Sequence, residues 1–333
     1  MTNETPLVEH TPGIVQDRPD RLQRVPWGAV AVFVVVAFAL AWLVATPLWM
    51  MGTDNPAFPL MLSLLASVMM FTPTVAALIA TFVMRVPTKG TRLQFLGIWP
   101  LRPAKRVVWF TVAAIFVPVI VVGLSVAIAA LFGWVTLDLV HFSAFAETLK
   151  GSLPEGSTPL PPIGVLVAAQ LIAIPFGAIF NSVFAAGEEI GWRGWLLPAL
   201  RPLRVWPALI LSGVIWGLWH SPVILLGYNF GLTDWRGVAL MTVGCVAWGV
   251  LLGWSRLRTG SVWPAVFAHG ALNASGSLVI LLSAAGAPID PALASPLGVA
   301  GWIVIAIIVL VLLLTGQFRK EPALTAKPRV VAG

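Results

Sequence analysis

Apolar residues gather along this chain into eight long stretches, separated by short polar or proline-rich joints. The stretches cover approximately 27–50, 58–84, 107–132, 163–187, 206–226, 237–255, 261–284 and 297–316. A helix needs roughly 20 apolar residues to cross the hydrocarbon core of a bilayer. The pattern therefore predicts an all-α integral membrane protein, an eight-span transmembrane helix bundle. Around it the chain divides into a polar tail at 1–26, three helices and an outer loop over 27–160, and a core of spans four to seven over 161–285. The last helix follows at 286–316, and a second polar tail closes the chain at 317–333.

Composition agrees with this reading. Hydrophobic residues make up 59% of the chain and charged ones only 10%, a balance foreign to soluble domains of this size. The net charge of +7 fits basic loops facing an anionic leaflet, so no nucleic-acid partner is implied. The lone cysteine, Cys245, lies in an apolar stretch and reads as packing. Residues 1–26 carry four prolines, and Arg18, Arg21 and Arg24 precede the first span. The charged leader and the following apolar run are both too long for a secretory signal. A disordered cytoplasmic tail is expected there.

Orientation follows from every basic residue. With the N-terminus inside and each stretch crossing once, 18 of the 20 lysines and arginines fall on the cytoplasmic side. Only Lys150 and Arg236 fall outside, and the proline-rich loop 133–162 joins them there. The expected topology is N-in and C-in, in the plasma membrane.

This arrangement singles out the stretch NSVFAAGEEIGWR, Asn181–Arg193. Glu188 and Glu189 sit at the cytoplasmic end of the fourth span, where buried charge needs partners or a water-filled cavity. Arg193 lies four residues after Glu189, on the same helical face and within ion-pair reach. Glu188 is rotated away from Arg193, which leaves it the available carboxylate. Asn181 lies two turns before Glu188 and extends a polar stripe. His220 stands mid-way along the fifth stretch, with Trp216 one turn earlier to wall the site against water and Pro222 just after to kink the helix. His269 and Asn273, at i and i+4, share one face of the seventh stretch. Taken singly, these groups suit snorkelling or interhelical hydrogen bonds. Taken together, they are nearly the only strongly polar side chains in the apolar part of the chain, so they are one another's available partners. A shared cytoplasm-facing cavity is expected.

Two chemistries suit that set. A carboxylate beside a neutral imidazole can take a proton from a water attacking a carbonyl, while a second imidazole and an amide N–H₂ face the developing oxyanion. Alternatively Glu188, His220 and His269 hold Zn²⁺ with an open position for water. Asn273 is a poor zinc ligand and fits the metal-free arrangement better. A transporter or proton relay could use the same residues. Against it, the two halves show no repeat and the polar groups are confined to spans four, five and seven.

Glu188-Glu189-x-x-x-Arg193, Trp216-x-x-x-His220 and His269-x-x-x-Asn273 resemble the three motifs of the CPBP (Abi) intramembrane endopeptidases, which include CAAX prenyl proteases and bacteriocin-processing enzymes. The resemblance covers roughly residues 165–285. It implies an eight-helix bundle whose conical catalytic cavity opens to the cytosol. It also implies that Glu188 and His220 activate a water, that His269 and Asn273 form the oxyanion hole, and that Glu189 pairs with Arg193. The substrate it implies is a peptide or membrane protein, prenylated in one branch of the family. A non-catalytic immunity or scaffold relative is the remaining class. The family's second motif usually has Phe where this chain has Trp216, a change expected to narrow the cavity and leave the chemistry untouched.

Overall fold

The structure, a computed structural model, describes residues 22–153 and 160–320. The expected tails over 1–21 and 321–333, with Pro154 and Pro159 of the expected outer loop, lie outside the described residues. Within them the chain is helical, with one isolated β-bridge between Leu137 and Ser283 and no strand. The helices that place the site are α1 (Trp27–Met51), α2 (Phe58–Met69), α3 (Thr72–Phe82), α4 (Ala104–Leu131), α5 (Ile163–Glu189), α6 (Val205–Trp219), α7 (Trp235–Thr259), α8 (Trp263–Ser275) and α9 (Val299–Leu314).

Among the described residues six helical stretches are long and apolar enough to cross a membrane. They are Trp27–Met51, Phe58–Phe82, Ala104–Leu131, Ile163–Leu203, Trp235–Thr259 and Pro291–Leu314. They mark a multi-pass membrane protein. The count of eight full-length spans does not hold in this form, because the fifth and seventh stretches are broken. The fifth ends at Trp219 and resumes as one turn, Ser221–Ile224. Pro222 is the cause, since it has no N–H for the helical ladder. The Ser221 hydroxyl donates instead to Leu218 O, at 2.5 Å, the carbonyl that a residue at 222 would otherwise have met. The seventh stretch ends at Ser275 and resumes as Leu278–Leu282 after Gly276, a weak helix former. Each break falls within one helical turn or two of a polar motif.

Small residues let the central helices touch. α8 packs most heavily on α5 and α4, and α6 on α7. At the α5–α8 crossing a Cβ on Gly270 would stand 2.5 Å from both Ala178 O and Ser182 Oγ, so glycine is required there. With no hydrophobic force between helices in lipid, such close backbone approach is what holds them. It also fixes the depth of His269, the residue before Gly270.

Candidate active site

The Glu pair closes α5, and the chain does not continue as a regular α-helix. Ile190–Leu196 form a π-helical segment in which the Leu197 N–H reaches back five residues to Trp192 O. Such bulges are rare and frequently lie at functional sites. Residues of α3 and α7 hold this one in place. Thr74 donates its hydroxyl to Gly187 O at 2.6 Å, and a Cβ on Gly191 would stand 2.5 Å from Pro73 of α3. From α7, Arg256 Nε donates to Arg193 O at 3.1 Å, and its Nη2 donates to Phe95 O at 2.7 Å.

The bulge directs the two carboxylates to different partners. Glu189 Oε1 accepts from Arg193 Nη1 at 2.8 Å and lies 2.9 Å from His269 Nδ1. All three residues are buried, and the Arg193 guanidinium lies 4.1 Å over the Trp216 ring. Glu189 Oε2 and Arg193 Nη2 are buried without a hydrogen-bond partner among the described residues. Glu188 meets no cation by hydrogen bond. Its Oε2 accepts two indole N–H groups, from Trp216 at 2.6 Å and from Trp192 at 3.3 Å. Oε1 accepts neither. One carboxylate is locked in an ion pair, and the other is oriented by donors with an oxygen to spare.

His220 is oriented by the end of its own helix. At the break the His220 N–H bonds to Gly217 O at 3.2 Å instead of reaching back four residues. That tightening leaves Trp216 O for the His220 ring, whose Nδ1 lies 2.9 Å away. A carbonyl only accepts, so Nδ1 carries the hydrogen and a neutral His220 presents a bare Nε2. Trp216 therefore touches four of the five ionisable members of the site: Glu188 through its indole N–H, His220 through its carbonyl, Arg193 over its ring face, and His269 edge-on with ring centroids 5.5 Å apart.

The structure thus brings Glu188, Glu189, Arg193, His220 and His269 around one indole. Asn273, one turn beyond His269, stands exposed and makes no hydrogen bond to this group among the described residues. Asn181 donates to Gly177 O of its own helix at 2.9 Å. Among the described residues no three His, Cys, Asp or Glu side chains are gathered as a metal ion needs. Glu188, His220 and His269, the expected zinc set, are not gathered as such a group among the described residues. Trp216 does more than narrow the cavity, since its indole N–H reaches Glu188 and a phenylalanine has no N–H to give. Sequence reasoning missed Trp192 as well, although it stands four residues after Glu188, the spacing that pointed from Glu189 to Arg193.

Residues 162–275 match the model of a family described as type II CAAX prenyl endopeptidase Rce1-like. A curated protein from Methanococcus maripaludis named CAAX prenyl protease 2 is 26% identical over 145 residues, 35% of this chain and 53% of the relative. The chain thus spans about half the length of that relative.

Proposed function

We propose that this chain, whose assignment to the CPBP family its matched segment supports, acts as an intramembrane endopeptidase that hydrolyses a peptide bond with a water activated by Glu188 and His220. The observation that carries this reading is the pairing of Glu188 and His220 on opposite ends of Trp216. The indole N–H fixes the carboxylate and the carbonyl fixes the imidazole, each with one acceptor left over. A water held between Glu188 Oε1 and His220 Nε2 has its lone pair free for the substrate carbonyl carbon. As the C–O bond forms, its proton passes to Glu188 Oε1, which later returns it to the leaving amine.

The negative charge that develops on the carbonyl oxygen needs donors already in place. His269 Nδ1 is engaged with Glu189, so the donor is its Nε2, and the ring must carry hydrogen on both nitrogens to serve. The site holds two buried carboxylates and one buried guanidinium, and the negative charge left over is what such an imidazolium balances. The exposed Asn273 amide gives the second donor once a substrate lies along α8. No covalent enzyme intermediate is required.

In this reading the two broken stretches still cross, giving eight crossings, N-in and C-in, in the plasma membrane, with the site toward the cytoplasmic face. The substrate is a peptide or membrane-protein segment, and a prenylated C-terminal CAAX peptide is the first to try. The test incubates purified wild type, Glu188→Gln and His220→Ala with a farnesylated CAAX peptide and with unmodified peptides, products being read by mass spectrometry. Cleavage by wild type alone supports the reading. Cleavage by folded Glu188→Gln at the wild-type rate overturns it.

A further inference from the structure

We infer that Trp216 is the positioning residue of the water-activating pair, and that its indole N–H sets which oxygen of Glu188 acts as base. The inference rests on the hydrolase reading above and adds a residue to it. An indole nitrogen donates and cannot accept, so its 2.6 Å contact with Oε2 is one-directional. Hydrogen bonds of N–H donors to carboxylates are short and about twice as strong as neutral ones. Trp192 approaches the same oxygen at 3.3 Å, so both donors engage Oε2 and leave Oε1 the oxygen free to take a proton. Without them a carboxylate at the end of α5 can rotate about its last torsion, which is broad and roughly two-fold. Either oxygen can then face the water.

Three features hold the indole where it must be. Its ring is sandwiched between the Arg193 guanidinium and the helix packing, is 2% exposed, and lies edge-on to His269. The 3.2 Å bond from His220 N–H to Gly217 O frees the Trp216 carbonyl for the imidazole. Main chain and side chain of one residue therefore orient the two halves of the pair. Substitution at 216 leaves the carbonyl in place, so it removes the hold on Glu188 while sparing that on His220. That separation makes the inference testable.

The decisive variant is Trp216→benzothienylalanine, which keeps the shape and ring face of tryptophan and lacks the N–H; Trp216→Phe serves as a simpler companion. Losing a hydrogen bond to a charged group predicts a fall in kcat on the farnesylated peptide of about ten- to a hundredfold. KM stays at the wild-type value and the unfolding midpoint falls by no more than the loss of one hydrogen bond allows, while kcat falls, a split between kcat and KM that lost packing does not produce. Unchanged kcat in the benzothienyl variant, with Glu188→Gln inactive, overturns the positioning role and leaves the hydrolase reading standing. If wild type cleaves nothing, the hydrolase reading fails separately, and the indole is then followed by ¹⁵N–¹H correlation of tryptophan-labelled protein. The Trp216 cross-peak, assigned by its loss in Trp216→Phe, must move in Glu188→Gln. A peak that stays in place overturns the inference.

Discussion

His269 Nδ1 lies 2.9 Å from the one Glu189 oxygen that Arg193 also holds at 2.8 Å. A single buried oxygen thus ties α8 to the π-helical segment and is the hydrogen-bonded counter-charge of Arg193. Removing one partner of a buried ion pair strands the other and costs about 3–5 kcal/mol. Glu189→Ala is therefore expected to lose stability of that order, together with activity. Glu188→Gln, which strands no hydrogen-bonded cation, should lose activity with far less change in unfolding. Thermal unfolding of both variants in detergent, followed by tryptophan fluorescence, gives the comparison. Equal midpoints for the two would count against the separate roles assigned to them.

Gly270 offers a test of how backbone packing sets the site. An added methyl meets Ala178 O and Ser182 Oγ at 2.5 Å, and one of those partners is rigid helix backbone. Overpacking of this kind costs typically about 1–3 kcal/mol. Gly270→Ala should lower the unfolding midpoint and reduce cleavage by pushing His269 off its bond to Glu189. Gly123 of α4, where an added Cβ would find nothing within 4 Å, is the control, and Gly123→Ala should lower neither measurement.

Much of this arrangement could be read from residue spacing, because spacing within one helix converts directly to a face. Glu189 and Arg193 at i and i+4 are bonded, and six of the apolar stretches hold helical segments long and apolar enough to cross a membrane. Legibility ends where local backbone departs from the ideal helix. Hydropathy does not see that Pro222 and Gly276 cut two stretches short, since the residues beyond each break are as apolar as those before it. Nor does it see the π-helical segment, which Thr74 and Arg256 hold from elsewhere in the chain. Trp216 was visible as an aromatic beside a histidine. Its donation to Glu188 crosses 28 residues and depends on how α5 and α6 pack, a matter of tertiary structure.

Outside the spans, Asp138 caps the loop that follows α4, accepting from the N–H groups of Val140, His141 and Ser143 at 3.2, 2.8 and 3.2 Å. These bonds, with the Ser143 side chain first among them, hold its carboxyl well below the usual carboxylate range. A depressed folded value means that the carboxylate stabilises the fold above its unfolded pKa, about 3.9, and that this stabilisation fades as pH falls toward the folded value. Asp138→Asn should therefore unfold more easily than wild type at pH 7. The gap between the two should narrow in acid below about pH 4. Unfolding midpoints across a pH series check the sign, and a gap that widens in acid would refute it.

Metal dependence turns on the atoms that the committed polar groups leave free. His220 Nδ1 is engaged with Trp216 O, His269 Nδ1 with Glu189, and Glu188 Oε2 with two indoles. Zinc needs three protein ligands within about 2.0–2.3 Å of one point. Among the described residues no three suitable side chains gather in this way. Cleavage is accordingly expected to survive prolonged treatment with a strong chelator, and purified wild type should carry far less than one zinc per chain. Metal analysis and the peptide assay run on the same samples check both points. Activity that disappears with chelator and returns with added zinc would show that the site closes around an ion when substrate binds. Glu188 would then be a ligand, with His220 and His269 supplying Nε2.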